Sequence, residues 1–401
     1  LQHLTVDLSR VMFPIVMLLA LSGVIVGMLN SYEHFSVPAL APIVWNLIII
    51  GSLAGLTPLF HGDNRIYAYA IGVLAGTIVQ FVLPLPWLRG RGGRFTLNFG
   101  WRNAHVIRVL KLMVPVTIAL GLINFDALIN SIFGTLVNNQ APAAIDKAFR
   151  IYMLPQGLFS VAIATILFPT LSRYAARGAL GDLRRTMANG IRQILMLLIP
   201  SAVLMAVLAE PITRLVYQRG AFNGQATSLV SQAMWVWALS LPAQGSSLLF
   251  SRTFFSLQRP WLNTAIAGAN LVVNAALSAA LYGPLGVKGV VLGSVGGTLI
   301  QVLLQAFYLR RELQGIEGAK TLTVVLRILA AAAALGGVAY GIWYGLDQAL
   351  GRSLVAQAVS LGAGIGAGIG VYAVGVTLLR VEEARQIAQL LGGRFGRGRA
   401  G

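Results

Sequence analysis

The chain has 401 residues, of which 57% are hydrophobic and only 10% are charged, and its mean hydropathy is +0.76. Soluble globular domains carry about 25% charged residues, so this composition excludes a soluble globule and indicates an integral membrane protein. The formal net charge of +18 points to membrane topology and anionic lipid, and nucleic acid is not an expected partner.

Long apolar stretches recur along the whole chain. Hydrocarbon about 30 Å thick is crossed by roughly 20 apolar residues, so each stretch predicts one membrane-spanning helix. The alternation over about ten residues that marks an outer-membrane barrel strand is absent from the sequence. We therefore predict an all-α polytopic membrane protein. Its eleven predicted spans are residues 10–30, 38–60, 66–88, 110–132, 153–172, 190–210, 226–250, 262–283, 287–309, 325–346 and 355–379.

The basic residues are distributed unevenly between these spans. If the amino end of the first span lies outside the cell, most of the 30 Lys and Arg residues fall in segments on the cytoplasmic side. Such an excess is typical of cytoplasmic loops. The sequence therefore predicts a carboxyl terminus in the cytoplasm.

The beginning of the chain suggests that further helices precede it. It starts with LQHLTVDLSR, which is not a signal peptide and has no initiating methionine. The segments NSYEHFSVPALAPIVWNLII (30–49) and SRTFFSLQRPWLNTAIAGANLVV (251–273) also share one plan: an aromatic-rich loop, a proline that opens a span, and an asparagine about two turns later. If this is a repeat, the first two spans correspond to the seventh and eighth. We then expect three spans upstream of Leu1 and two lobes with a site between them, as in many transporters.

A small polar set lies at or near membrane depth. Asp126 and Asn130 stand one turn apart and can share a helix face, and Lys147 and Arg150 are three residues apart. An ionisable residue inside a span costs roughly 2.5–3.5 kcal/mol, so it usually faces a wet cavity or a partner. Plainer alternatives are an exposed connector for Asp146 and Lys147, a structural ion pair for Asp126, and an Arg150 that reaches the membrane interface from a helix end.

Other residues in the predicted spans have structural interpretations. Pro155 and Gly157 are candidates for structural or gating positions, with a loosened first turn as the alternative. Asn46, Asn270 and Asn274 are expected mainly as hydrogen-bonding residues between helices.

The sequence gives little support to catalysis. It contains no HExxH, GxSxG, P-loop or paired-aspartate motif, and it has no cysteine. We expect no metal site and no cofactor, apart from a coupling cation whose identity the sequence does not give. The rival from another class is a polyprenyl-phosphate glycosyltransferase, which would need catalytic carboxylates in its loops.

Two segments carry a family resemblance. AFRIYMLPQGLFSVAIATILFPTLSRYA (148–175) resembles the part of the MurJ (MviN) lipid II flippases in which an arginine precedes LPxG and AxATxxxPxLS. RVMFPIVMLLALSGVIVGMLNSYEHFSVPALAPIVWN (10–46) is similar to the fourth and fifth helices of that family. The resemblance implies a fourteen-helix exporter of the multidrug/oligosaccharidyl-lipid/polysaccharide superfamily, with helices four to fourteen present here.

The resemblance also implies roles for particular residues. Arg150 matches the family's cavity arginine on helix eight, which implies binding to the pyrophosphate of lipid II. Lys147, Asp126 and Asn130 are the accompanying candidates for substrate binding. The chain departs from the family in two places: Phe149 replaces the usual acidic residue, which leaves Arg150 freer for a ligand or dependent on Asp146, and the polar pair Asp126 and Asn130 is exchanged. The cavity residues of the first two family helices lie outside this chain.

The same resemblance implies five segments. Residues 1–90 form the remainder of the N-lobe, 91–109 a basic cytoplasmic linker, 110–312 a six-helix C-lobe, 313–380 two extra helices, and 381–401 a basic cytoplasmic tail. In the family the two extra helices, which are rich in Ala and Gly here, line a groove for the lipid tail; close helix packing is the alternative.

These observations lead to one functional hypothesis. We expect a flippase that moves undecaprenyl-linked lipid II across the bacterial cytoplasmic membrane by alternating access and is not an enzyme. Its other expected partners are anionic headgroups at the cytoplasmic face, and we expect a monomer. The alternatives are a polysaccharide-precursor flippase, a cation-coupled drug antiporter of the same superfamily, and a scaffold with degenerate transport.

Overall fold

The computed structural model describes residues 2–32, 36–88, 104–220 and 222–384, and within these ranges it is helical and contains no strand. The all-helical prediction is confirmed. The chain divides into two compact units, Leu1–Trp101 and Arg102–Gly401. The five predicted segments stay predictions, and most of the linker 91–109 and of the tail 381–401 lies outside the described residues.

The described residues of the first unit form three long helices, and two short 3-10 turns join the second helix to the third. They are α1 (Gln2–Ser31), α2 (Ser36–Leu56) and α3 (Ile66–Val82). Ile15, Ile49 and Val73 form a small core between them, and the indole of Trp45 donates a hydrogen bond of 3.2 Å to the hydroxyl of Thr77. Asn46, predicted to join helices, instead donates to the carbonyl of Pro42 in its own helix.

Ten α-helices lie in the described part of the second unit. They are α4 (Ala104–Val137), α5 (Ala141–Pro155), α6 (Ala162–Ala176), α7 (Leu180–Val207), α8 (Ala209–Tyr217), α9 (Gly224–Ser256), α10 (Pro260–Leu285), α11 (Val287–Glu312), α12 (Gly318–Leu350) and α13 (Leu354–Leu378). Helices α5 and α6 are continuous through a π-helical segment, Gln156–Val161.

Nine helical segments among the described residues are long and apolar enough to cross a membrane, and they coincide with nine of the eleven predicted spans. The other two predicted spans, 110–132 and 226–250, fall on the long helices α4 and α9. Ser and Gln residues lower the hydropathy of α9, and the side chains of α4 are only partly described.

The core of the second unit lies between α7 and α9. Ile194 and Leu198 of α7 and Leu241 and Leu249 of α9 are fully buried. A Cβ atom added at Gly245 would lie 2.2 Å from Leu198 Cδ1 and 2.9 Å from Ile194 Cγ2, so the glycine leaves room for these two α7 side chains against α9.

Helices α12 and α13 pack closely along their small residues. A Cβ atom at Gly364 of α13 would lie 2.7 Å from the carbonyl oxygen of Ala339 in α12, and one at Gly368 would lie 3.1 Å from the carbonyl oxygen of Leu335. This confirms the interpretation of the small residues as packing positions, while the groove for a lipid tail stays a prediction.

Ion pairs attach the α12–α13 pair to the rest of the second unit at both of its ends. At one end, Arg192 of α7 pairs with Glu317 before α12 and with Glu383 after α13. At the other end, Arg214 of α8 pairs with Asp347 of α12 at 2.7 Å. The α12–α13 pair is therefore fixed to the helices that form the core of this unit.

Candidate functional site

Arg150 lies on a helix that is longer than the sequence predicted. The connector before it is reduced to residues 138–140, where the side chain of Asn138 accepts a hydrogen bond from the Gln140 amide, and α5 begins at Ala141. Pro142 stands in the first turn, where its missing N–H group costs nothing and its fixed φ angle favours helix. The interpretation of Asp146 and Lys147 as connector is therefore wrong, since both are helical.

The guanidinium of Arg150 pairs with the carboxylate of Asp146 one turn earlier, with 2.9 Å between Nε and Oδ2. Their side chains are 71% and 58% exposed, because the opposite face of α5, with Ala144, Ala148 and Tyr152, packs into the core. With Phe149 in place of the family's usual acidic residue, Arg150 was expected either to be free for a ligand or to depend on Asp146. The structure shows the second arrangement. An exposed i,i+4 pair is worth only about 0.3–0.5 kcal/mol, so an anionic ligand can compete for the guanidinium.

A tyrosine that the sequence did not single out completes this group. The hydroxyl of Tyr217, at the end of α8, donates to the carbonyl of Lys147 at 3.2 Å. Burial raises the pKa of Tyr217, and the neighbouring Arg150 guanidinium offsets part of this rise, so the hydroxyl stays protonated near neutral pH. We call Asp146, Lys147, Arg150 and Tyr217 the Arg150 cluster. No local signal reveals Tyr217, because its role depends on the packing of α8 near α5.

Asp126 and Asn130 belong to a separate polar cluster formed by α4, α10 and α11. Asn130 donates to Asp126 Oδ2 at 3.3 Å, and Asn274 of α10 donates to Asp126 Oδ1. Ser294 of α11 donates to Asn130, and Ser278 donates to Asn274, both at 3.0 Å. These five residues are the Asp126 cluster.

The Asp126 cluster settles two alternatives from the sequence. Among the described residues Asp126 forms no ion pair, and its two hydrogen-bond contacts are amide groups, so the structural ion pair is not what the structure has. Asn274 joins α10 to α4, and Asn270 hydrogen bonds to Gln301 of α11, so both asparagines link helices as predicted.

Pro155 and Gly157 lie in the middle of the helical segment and not in its first turn. Pro155 ends α5, and its missing N–H group coincides with the change to the π-helical segment. In this segment the hydroxyl of Ser160 is buried and has no hydrogen-bond partner among the described residues, and it faces Gly245 of α9. The geometry adds a local irregularity to the candidate span, and a gating role for Pro155 and Gly157 stays a prediction.

The described residues include no group of three or more His, Cys, Asp or Glu side chains that could hold a metal ion. Within the described part of the chain, the Asp126 cluster brings together the neutral and anionic oxygens that hard cations prefer. The cluster offers carboxylate, amide and hydroxyl oxygens. The carbonyl oxygen of Val290, which accepts a hydrogen bond from Ser278 at 3.2 Å, lies beside them.

Comparisons with known proteins agree with one family. The family model described as lipid II flippase MurJ matches residues 2–353. A probable lipid II flippase MurJ from Rhizobium tropici is 33% identical over 342 residues, which cover 84% of this chain and 63% of that protein. The corresponding protein of Rhizobium meliloti (strain 1021) is 30% identical over 340 residues, with the same two coverages. The chain thus spans about 63% of the length of these relatives.

A solved structure gives the same fold. The chain matches the lipid II flippase MurJ in an inward closed conformation with a TM-score of 0.76 and 22% identity. The match covers 93% of this chain and 74% of the other. With the family model extending over most of the sequence, the chain belongs to the lipid II flippase MurJ family.

Proposed function

We propose that this protein moves lipid II across the bacterial cytoplasmic membrane by alternating access, and that it acts as a transporter and not as an enzyme. Family membership supports the substrate class. The observation that carries the proposal for this chain is the exposed Arg150 on a candidate membrane-spanning segment, Ala141–Ala176. An exposed arginine in such a segment needs an anionic partner or water.

Arg150 is suited to a pyrophosphate group. Its guanidinium is planar, stays charged when partly desolvated, and offers paired N–H donors that match phosphate oxygens. The Nε–H group of Arg150 donates to the exposed carboxylate of Asp146. A pyrophosphate that displaced this carboxylate would replace a weak ion pair with a stronger one. Lys147, on the same helix, would add a second positive charge. This balance of charges favours an anionic cargo over the organic cations of a drug antiporter.

We place the coupling cation, if transport uses one, at the Asp126 cluster. Asn130, Asn274, Ser278 and Ser294 are buried, so Asp126 and Asn130 are better placed to hold a small ion than a large headgroup. Binding of a cation would require the Asn274 and Ser278 donors to turn away from the oxygens that the cation takes.

Asp126→Asn tests this location. If the cluster holds a cation, Na⁺ or another monovalent ion should raise the thermal unfolding midpoint of the purified parent protein but not that of the variant. The control is Asp182→Asn, which removes an exposed carboxylate paired with Arg185 and should leave the ion effect intact. An equal ion effect in the parent and in Asp126→Asn would place the cation site elsewhere. No ion effect in the parent would argue against a bound cation.

The setting of the transporter follows from the distribution of charge. We propose a multi-pass protein of the bacterial inner membrane that is active as a monomer, with its carboxyl end in the cytoplasm. Basic residues near that end would contact anionic headgroups. Labelling of single cysteines introduced into the chain, which has none of its own, would test this orientation.

The test of transport is rescue of growth in a bacterium depleted of its own lipid II flippase. The protein, expressed from its complete reading frame, should restore growth, and Arg150→Ala should not. Hydrogen bonds to charged groups contribute about 1.5–3 kcal/mol, so the loss of Arg150 should weaken headgroup binding roughly 10- to 100-fold. Arg150→Lys should rescue partly, because it keeps the charge but loses the planar fork.

Arg352→Ala is the matched control, since Arg352 is exposed in the turn between α12 and α13. It should rescue like the parent. If the parent inserts correctly but never rescues, lipid II is the wrong cargo, and a polysaccharide precursor becomes the better candidate. Rescue by well-expressed Arg150→Ala would remove Arg150 from the site.

A further inference from the structure

A cavity of about 350 Å³ opens on the second unit, away from the residues assigned above. It lies where α7 ends and where α8, α9 and α11 begin. Its walls are of two kinds: Ala206, Val207 and Trp235 are apolar, whereas Glu210, Ser231, Gln232 and Lys288 are polar or charged. One surface cavity thus combines an apolar wall with one acidic and one basic side chain.

The ends of two candidate spans indicate that the cavity lies near the membrane interface. The candidate span Leu180–Val207 ends at it, and the candidate span Val287–Glu312 begins at it. Trp235 is 47% exposed, and tryptophan is enriched at the boundary between hydrocarbon and headgroups. A lipid in the adjacent bilayer could therefore place its headgroup in the cavity while its acyl chains stay beside the helices.

The two charged side chains in the cavity are exposed and lie on different helices, Glu210 on α8 and Lys288 on α11. Neither forms an ion pair within the described part of the chain. A ligand with one positive and one negative group can satisfy both at once, whereas a purely anionic ligand would meet the Glu210 carboxylate.

The neutral polar groups favour the same kind of ligand. Gln232 uses one N–H group on the hydroxyl of Ser228 at 3.1 Å, and Ser231 donates to the carbonyl of Ser228 at 3.0 Å. The side-chain oxygens of Gln232 and Ser231 can accept hydrogen bonds from the N–H groups of a primary ammonium. A quaternary ammonium has no N–H group and cannot form these bonds.

We propose that this cavity binds a zwitterionic phospholipid with a primary amine, of the phosphatidylethanolamine type. Lys288 contacts the phosphate, Glu210 accepts from the ammonium group, and Trp235 with Val207 supports the glycerol and upper acyl chains. The site does not depend on the transport activity proposed above, since none of these residues belongs to the Arg150 or Asp126 clusters.

Native mass spectrometry of the detergent-purified protein tests the proposal with three lipids that share the same acyl chains: phosphatidylethanolamine, phosphatidylcholine and phosphatidylglycerol. Exposed charge pairs contribute about 0.2–1 kcal/mol, which corresponds to at most about fivefold in binding. We expect the parent to retain the ethanolamine lipid about twofold to fivefold better than the choline lipid.

Two variants separate the two charges. Glu210→Gln should reduce the preference for ethanolamine over choline without weakening the glycerol lipid, because the charged acceptor of the ammonium group is lost while the oxygens of Gln232 and Ser231 remain. Lys288→Gln should weaken all three lipids, because they share the phosphate. Arg352→Gln removes another exposed charge near a helix end and should change nothing.

Equal retention of the ethanolamine and choline lipids by the parent would overturn the proposal, because it would show that the ammonium group is not recognised. The proposal would also be overturned if Glu210→Gln and Lys288→Gln retained the three lipids as well as Arg352→Gln does. The cavity would then be a groove for acyl chains only.

Discussion

Arg192→Met should lower the free energy of unfolding by about 3–5 kcal/mol, as is typical when one partner of a buried ion pair is removed. The side chains of Arg192 and Glu383 are 5% and 1% exposed, and the Arg192 guanidinium also contacts Glu317 at 3.1 Å. Methionine fills similar space but leaves the Glu383 carboxylate buried without a positive partner. The measurement is chemical or thermal unfolding of the purified protein in a fixed detergent.

The control for this prediction lies on the same helix. Arg185 pairs with Asp182 at 2.8 Å, but the two side chains are 72% and 49% exposed. Arg185→Met should therefore cost less than about 1 kcal/mol. The double variant Arg192→Met, Glu383→Leu should recover most of the loss, because a buried ion pair can often be replaced by apolar side chains of similar volume.

The position of this ion pair gives the prediction a structural consequence. Arg192 belongs to α7, whereas Glu317 and Glu383 flank the α12–α13 pair at its two chain ends. Its loss should loosen the α12–α13 pair at one end only, since Arg214 and Asp347 still hold the other. If Arg192→Met is as stable as Arg185→Met, the carboxylate of Glu383 reaches water and the attachment is weak.

The sequence predicted the helices well and their contacts poorly, for one physical reason. A span is a local property, because roughly 20 consecutive apolar residues suffice to indicate it. The pairs Asp126 with Asn274 and Arg192 with Glu383 join residues 148 and 191 positions apart, so no local pattern contains them. Asp126 could be recognised as unusual within a span, but its partners could not.

The Arg150 cluster shows the same limit at closer range. The resemblance singled out Arg150, and the spacing of four to Asp146 was visible in the sequence. The connector before α5 was nevertheless overestimated, because Asn, Gln and Pro are typical of turns and of first helical turns alike. Tyr217 was missed since its contact with Lys147 arises only when α8 packs near α5.

Gly293→Ala should destabilise the second unit by about 3 kcal/mol, the upper end of the range for an overpacked core. An added Cβ atom would lie 2.0 Å from the hydroxyl of Ser278 and 2.8 Å from both the carbonyl and the side-chain oxygen of Asn274. The backbone carbonyl of Asn274 cannot move without shifting α10. The methyl group would therefore separate α11 from α10 and disturb the Asp126 cluster.

Gly268→Ala provides the opposite expectation in a neighbouring helix. An added Cβ atom there meets nothing within 4 Å, so alanine brings only its better helix propensity and should stabilise by about 0.5–1 kcal/mol. The two glycines thus predict opposite signs for the same chemical change, read from the thermal unfolding midpoints in one detergent. Equal shifts in the two variants would mean that α10 and α11 leave room for a methyl group at Gly293. The close contact between these helices would then not be what positions Asn274 beside Asp126.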